Sequence, residues 1–163
     1  MNGDVRLYEI LKQLSIEYQY IEHPPAPTIE LAKQYVSQKG VQRCKNLFLR
    51  NHKGNQHFLV VLDCNANMDI HSIEKMLCQG KLSFASATRL QKYLGVEAGS
   101  VTPLGLFNDL DNEVLLFLDE HLQSAERLSF HPLINTASLV ISQSDFMKFL
   151  AYTQTKYQWM KLY

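Results

Sequence analysis

The chain has 163 residues, 46% of them hydrophobic and 20% charged, a composition that excludes a disordered or collagen-like protein and fits one domain with a substantial core. Sixteen basic side chains balance sixteen acidic ones, so the chain is not built to coat long nucleic acid, although grasping the tip of one strand stays open. The apolar runs Phe58–Leu62 and Val114–Leu118 are too short to span a bilayer, and the first residues lack the apolar stretch of a signal peptide, so cytoplasmic location is expected.

Taken in chain order, Leu7, Ile10, Leu11 and Leu14 share one helical face, with Asn2 or Asp4 as cap. A short strand at 18–21 runs into His23-Pro24-Pro25-Ala26-Pro27, where three prolines stop any helix. Thr28 then caps a second helix with Glu30 in its first turn and Leu31, Ala32, Tyr35 and Val36 facing inward. Strands are predicted at 45–50 and 57–62, joined by a hairpin over Asn51–Asn55, the second apolar on both faces like a central strand. Asp69 caps a helix to Leu77 that buries Ile70, Ile73, Met76 and Leu77. Residues 82–85 form a short strand, and Ser86 caps a helix ending at Gly95. A glycine-rich loop follows over 95–105, then strands near 113–118, 127–130 and 137–141, and a last helix capped by Ser142 or Ser144 that contains Phe146, Phe149 and Leu150. With no repeat and no linker, residues 1–163 read as a single α/β domain with a mixed sheet flanked by helices.

Cys44, Cys64 and Cys78 are odd in number and form no C-x-x-C pair, so neither a disulfide framework nor a zinc site is expected. Cys64 and Cys78 read as small buried groups, and Cys44 has no acid–base partner nearby in sequence.

Three places carry chemistry. The stretch 43–53 holds Arg43, Lys45, Arg50 and Lys53 and no acid. Strand alternation puts Lys45 on a face with Leu47 and Leu49, either as a snorkelling surface lysine or as a cation in a cleft for a phosphate or a carbonyl oxygen. The loop Gly99-Ser100-Val101-Thr102-Pro103 can offer backbone amides on a stiffened turn. His131, held extended before Pro132 and followed by Asn135, can present an imidazole, and His23 before Pro24 is a similar case. No GxSxG, Walker, HExxH or Rossmann pattern is present. The residues alone therefore describe a domain with a candidate cleft lined by Lys45, the Gly99 loop and His131.

In order along the chain, Lys45-Asn46-Leu47-Phe48-Leu49-Arg50, Leu82–Ser86, Gly95–Leu106 and Phe130-His131-Pro132-Leu133-Ile134-Asn135-Thr136 together resemble the YbaK-type aminoacyl-tRNA editing family. The likeness is to its free-standing branch, related to the prolyl-tRNA synthetase insertion domain, and covers nearly the whole chain. It implies hydrolysis of the ester between a wrong amino acid and the 3′-terminal adenosine of tRNA(Pro), alanine first. The family's lysine falls on Lys45, its Gly-x-x-x-Pro loop on Gly99–Pro103 and its histidine on His131. The resemblance makes Lys45 and His131 catalytic. Asn46, Gly99, Ser100, Val101, Thr102, Pro103 and Asn135 are then expected to hold the substrate, and the basic stretch 43–53 offers Arg43, Arg50 and Lys53 to the nucleic acid. The resemblance implies no metal or cofactor, the acceptor end of mischarged tRNA as partner with prolyl-tRNA synthetase as a second candidate, and neither DNA nor membrane. A missing methylene costs a binding pocket only about 1–3 kcal/mol, so a synthetase for proline admits alanine and a second, smaller sieve is needed. Alternatives are cysteine as the misacylated residue and a non-catalytic module that escorts the synthetase.

Overall fold

The structure, a computed structural model, describes residues 1–25 and 29–163. Its central element is β2 (Val41–Asn51), the longest strand, which antiparallel β3 (His57–Asp63) joins over 44–50. On its other edge β2 has two partners at its two ends. Parallel β6 (Arg127–Phe130) pairs with 41–43, and antiparallel β4 (Leu82–Phe84) pairs with 49–51. The sheet extends through β7 (Ala137–Ser142) to β1 (Gln19–Glu22) on one side, and through β5 (Val114–Asp119) to β8 (Lys156–Met160) on the other. This is the expected mixed sheet flanked by helices. The strand β8 is additional to the expected elements; its Lys-Tyr-Gln-Trp-Met sequence has no clean alternation, and it is held by parallel pairing with β5.

The two sheet faces bury separate cores. Phe48, Leu59, Val61, Leu116 and Leu118 pack against α1 (Val5–Gln13), α4 (Ala87–Leu94) and α5 (Gln143–Thr153). Leu49, Phe58, Val60, Leu62 and Phe117 pack with Ile73 and Leu77 of α3 (Ile70–Leu77). The caps are those the sequence calls for: Asp4, Asp69, Ser86 and Ser142 each accept a backbone N–H from the first turn, and Gly95 closes α4 in the left-handed region.

Some inward assignments change. α2 (Ile29–Tyr35) is present, but its expected cap Thr28 lies outside the described residues, as do the side chains of Glu30 and Ala32. Val36 is buried, whereas Leu31 and Tyr35 are exposed. Met76 is also exposed, because an eight-residue helix lying on the sheet buries only a narrow stripe. Cys64 is buried as expected; Cys78 is exposed, since it is the left-handed C-cap of α3 and not part of its face. Among the described residues, no helix is long and apolar enough to cross a membrane.

The glycine-rich segment is more ordered than a loop. From Pro103 to Asn108 it is a 3-10 turn, opened by Thr102, whose hydroxyl accepts Leu104 N–H. Gly105 lies against the end of α4 so closely that a Cβ there would stand 2.4 Å from the Leu94 carbonyl oxygen, and Asn108 Nδ2 donates to that same oxygen at 3.0 Å. The turn is thereby clamped to α4.

His57 ties β3 to α4. It is buried, its ring centroid stands 4.2 Å from that of Tyr93, and its Nε2 accepts from Arg89 at 2.7 Å. Burial first and the Arg89 charge second push its pKa from the usual 6.5 to about 4. The unfolded chain therefore takes up this proton before the folded one, so this contribution to stability is complete above pH 6.5 and is lost as pH falls towards about 4. The drop in urea midpoint between pH 7 and pH 4.5 should be smaller in His57→Gln than in the unsubstituted protein; equal drops would refute this assignment.

Candidate active site

A cavity of about 220 Å³ lies where β6 leaves β2 and is lined by Cys44, Asn46, Gly99, Val101 and His131. The pairing explains the opening. Parallel contact between β2 and β6 stops at Arg43 and Ser129, so the next residues of β2 lose their neighbour on that edge. The segment after Gly95 fills part of the gap, and Asn46 Nδ2 donates to the Val101 carbonyl at 3.1 Å. Because that carbonyl only accepts, the amide orientation is fixed, and Asn46 Oδ1 is left buried without a partner. Gly99 has φ +89°, a conformation other residues rarely adopt, and a Cβ there would lie 3.7 Å from Asn135 Nδ2, which places Asn135 beside the cavity. The backbone N–H groups of Gly99 and Val101 donate to none of the described residues.

His131 follows directly on β6 and is half-buried. Its Nδ1–H donates to the Ala137 carbonyl at 3.0 Å, so the neutral ring carries its proton on Nδ1 and its free lone pair on Nε2. Burial lowers its pKa below the usual 6.5, the Ala137 carbonyl opposes that shift, and the nearby His23 adds to it. At neutral pH the ring is an uncharged base.

Lys45 is not among the lining residues, a correction to the expected cleft. Pairing from Cys44 to Arg50 is continuous, so alternation is unbroken: Cys44 and Asn46 face the cavity, while Lys45 lies on the opposite face with Leu47 and next to Leu62. It is half-buried and has no ion-pair partner among the described residues.

Ser100, Thr102 and Pro103 are also absent from the wall. All three are buried, and they shape the loop: Ser100 N–H donates to Glu97, and Thr102 and Pro103 open the 3-10 turn. The expected basic patch is spread out. Arg43 donates to the Val36 carbonyl. Arg50 donates to the carbonyls of Asn51 and His52, about 13 Å along the strand from Asn46, and Lys53 lies in the hairpin beyond.

The wall residue that sequence reasoning left without a role is Cys44. The alternation that places Asn46 in the cavity places Cys44 there too. Burial pushes its thiol well above the ordinary cysteine range, and the neighbouring Cys64, Asp63 and Asp119 reinforce this, so it is a neutral, apolar wall and not a thiolate. Among the described residues no cluster of His, Cys, Asp or Glu could hold a metal ion.

The arrangement joins a neutral imidazole and free amides at a glycine turn around a small space. Such a set suits attack of water on an acyl carbonyl. The family model for the aminoacyl-tRNA editing domain matches residues 23–149. Prolyl-tRNA editing protein ProX of Acetoanaerobium sticklandii is 41% identical over 138 residues, which cover 85% of this chain and 84% of that protein. Prolyl-tRNA synthetase associated domain-containing protein 1 of Danio rerio is 35% identical over 150 residues, covering 91% and 81%. A crystal structure described as a candidate trans-editing enzyme for prolyl-tRNA synthetase shares the fold, with TM-score 0.69 at 19% identity over 98% of this chain and 99% of that one. The chain belongs to the aminoacyl-tRNA editing family, the family of an aminoacyl-tRNA deacylase.

Proposed function

We propose that the protein is a free-standing deacylase for mischarged tRNA(Pro) and that alanine is the amino acid it removes. The observation that carries this reading is the small cavity bounded by Cys44, Asn46, Gly99, Val101 and His131 in a chain 41% identical to a prolyl-tRNA editing protein. Cys44 and Val101 make an apolar wall for a side chain the size of a methyl group. Asn46, anchored through Nδ2 on the Val101 carbonyl, fixes the loop amides beside the acyl group. The free amides of Gly99 and Val101 receive the carbonyl oxygen, and each such donor contributes roughly 10²–10³ in rate once that oxygen carries charge.

His131 Nε2 takes a proton as water attacks the carbonyl carbon. The tetrahedral intermediate then collapses, the bond to the ribose oxygen breaks, and the imidazolium returns the proton to the leaving hydroxyl. Free amino acid and uncharged tRNA are the products. Lys45, on the other face of β2, is given to a phosphate of the terminal nucleotide, outside the acyl cavity. Prolyl-tRNA synthetase supplies the substrate, and the protein works where both are found, in the cytoplasm.

With enzyme well below substrate, Ala-tRNA(Pro) should be hydrolysed and Pro-tRNA(Pro) spared; equal rates refute the sieve, and faster Cys-tRNA(Pro) hydrolysis moves the preference to cysteine. The acid limb of the single-turnover rate should have its midpoint below pH 6.5, because burial lowers the His131 pKa and the ring must be neutral to accept the proton. His131→Ala should remove that limb and cost about 10²-fold or more in rate. Lys45→Ala should weaken tRNA binding more than it slows bound substrate, and the balance of Kd against single-turnover rate measures this. Cys44→Ala should keep turnover within a few-fold, since the thiol is not a nucleophile and alanine keeps the wall apolar; loss of activity in a folded Cys44→Ala protein would point to covalent catalysis instead.

A further inference from the structure

Three consecutive residues at the start of β7 are gripped alternately by two histidines. The backbone N–H of His23 donates to the Thr136 carbonyl at 2.9 Å. The ring of His131 donates to the Ala137 carbonyl at 3.0 Å. The Ser138 hydroxyl and His23 Nε2 are 2.9 Å apart, and His23 Nδ1 lies 2.8 Å from the Pro24 carbonyl. That carbonyl only accepts, so neutral His23 carries its proton on Nδ1, and Nε2 accepts from Ser138. His23 and Ser138 are both buried. The His23 ring stacks on Tyr35 with centroids 5.2 Å apart and stands 6.2 Å from the ring of His131. Among the described residues, His23 does not line the cavity, yet it is bonded on both sides of the one carbonyl that orients His131.

We propose that His23 is a positioning residue for His131: by fixing Thr136 and Ser138, it holds the Ala137 carbonyl against His131 Nδ1 and keeps the Nε2 lone pair of His131 turned to the cavity. The inference rests on the reading of His131 as the base. A ring free to exchange tautomers, or to rotate away from Ala137, would present Nε2–H to the water for part of the time, and an N–H cannot accept a proton. The Ser138 contact is the part of the grip that a side-chain substitution at residue 23 removes, so variants at both ends test it.

Single-turnover deacylation, tRNA affinity and ¹⁵N shifts of the histidine rings would be measured on His23→Ala, His23→Gln, His23→Asn and Ser138→Ala, with thermal melting as a folding control. In the unsubstituted protein the His131 ring should show a protonated Nδ1 and an unprotonated Nε2. In His23→Ala and Ser138→Ala these two signals should move towards each other, and the rate should fall about tenfold, the weight of one hydrogen bond, with affinity unchanged. Gln can place its amide oxygen where His23 Nε2 accepts from Ser138, so His23→Gln should recover most of the rate; Asn reaches only the Pro24 side and should not. Unchanged His131 shifts, or an unchanged rate, in folded His23→Ala or Ser138→Ala overturns the proposal. If His23→Ala does not fold, Ser138→Ala and the Gln–Asn pair decide it. If the unsubstituted protein releases no amino acid, the reading of the function fails, while the ring shifts alone still decide whether His23 sets the His131 tautomer.

Discussion

The site depends on one constraint, the unbroken pairing of β2 with β3. Seven consecutive pairs from Cys44 to Arg50 leave no room for a bulge, so each β2 side chain is committed to one face of the sheet. That commitment sends Phe48 to the core with α1, α4 and α5 and Leu49 to the core with α3, each essentially without solvent exposure. The same alternation puts Cys44 and Asn46 in the cavity and Lys45 behind it. A one-residue slip would exchange these roles and also turn Phe48 and Leu49 into the wrong cores. The register at the site is thus guarded by apolar packing a few residues away.

The other edge of β2 does the opposite work. Where β3 continues, β6 departs, and its last residues carry the chain to His131. A sheet with β6 paired along all of β2 would have no cavity. A sheet with nothing in the gap would leave backbone groups of β2 unsatisfied. The segment after α4 occupies part of the gap, is tied to β2 through the Asn46 side chain on the Val101 carbonyl, and is held by its own contacts: the Leu94 carbonyl against Gly105, the Asn108 cap and the Thr102 hydroxyl. Ser100, Thr102 and Pro103 therefore matter by being buried in the support of the loop, while Gly99 and Val101 meet the cavity.

Much of this was legible in the sequence, for identifiable reasons. Helix caps are local chemistry, and Asp69, Ser86 and Gly95 declare themselves through residue type and spacing. The β2–β3 hairpin was readable because Asn51–Asn55 breaks two apolar runs, and Asn51 Oδ1 does accept the N–H groups of Asn55 and Gln56. Gly99, His131 and Asn46 stand together in the cavity or on its wall. Lys45 is a different case: alternation puts it on one face with Leu47 and Leu49, but which face looks into the cleft depends on where β6 leaves, a long-range fact. The basic run 43–53 looked like a patch because residues near in sequence are far apart along an extended strand. The strand β8 depends on parallel pairing with β5, which no local pattern announces. His23 stood out beside Pro24, but its partner Ser138 is 115 residues away.

Asn46 shows what the fold gives up at this point. A buried amide oxygen without a partner costs roughly 1–3 kcal/mol, enough to matter in a protein of ordinary stability. The unpaired oxygen is tolerated because Asn46 cannot turn away: its Nδ2 is anchored on Val101 and its backbone on Val61. His131 is held under the same terms, with one nitrogen bound to Ala137 and the other left free in a buried place where charge is disfavoured. Each polar side chain of the cavity wall thus spends one atom on being fixed and keeps one unsatisfied. For Asn46 that state is a cost of holding the loop, and for His131 it leaves Nε2 able to accept a proton.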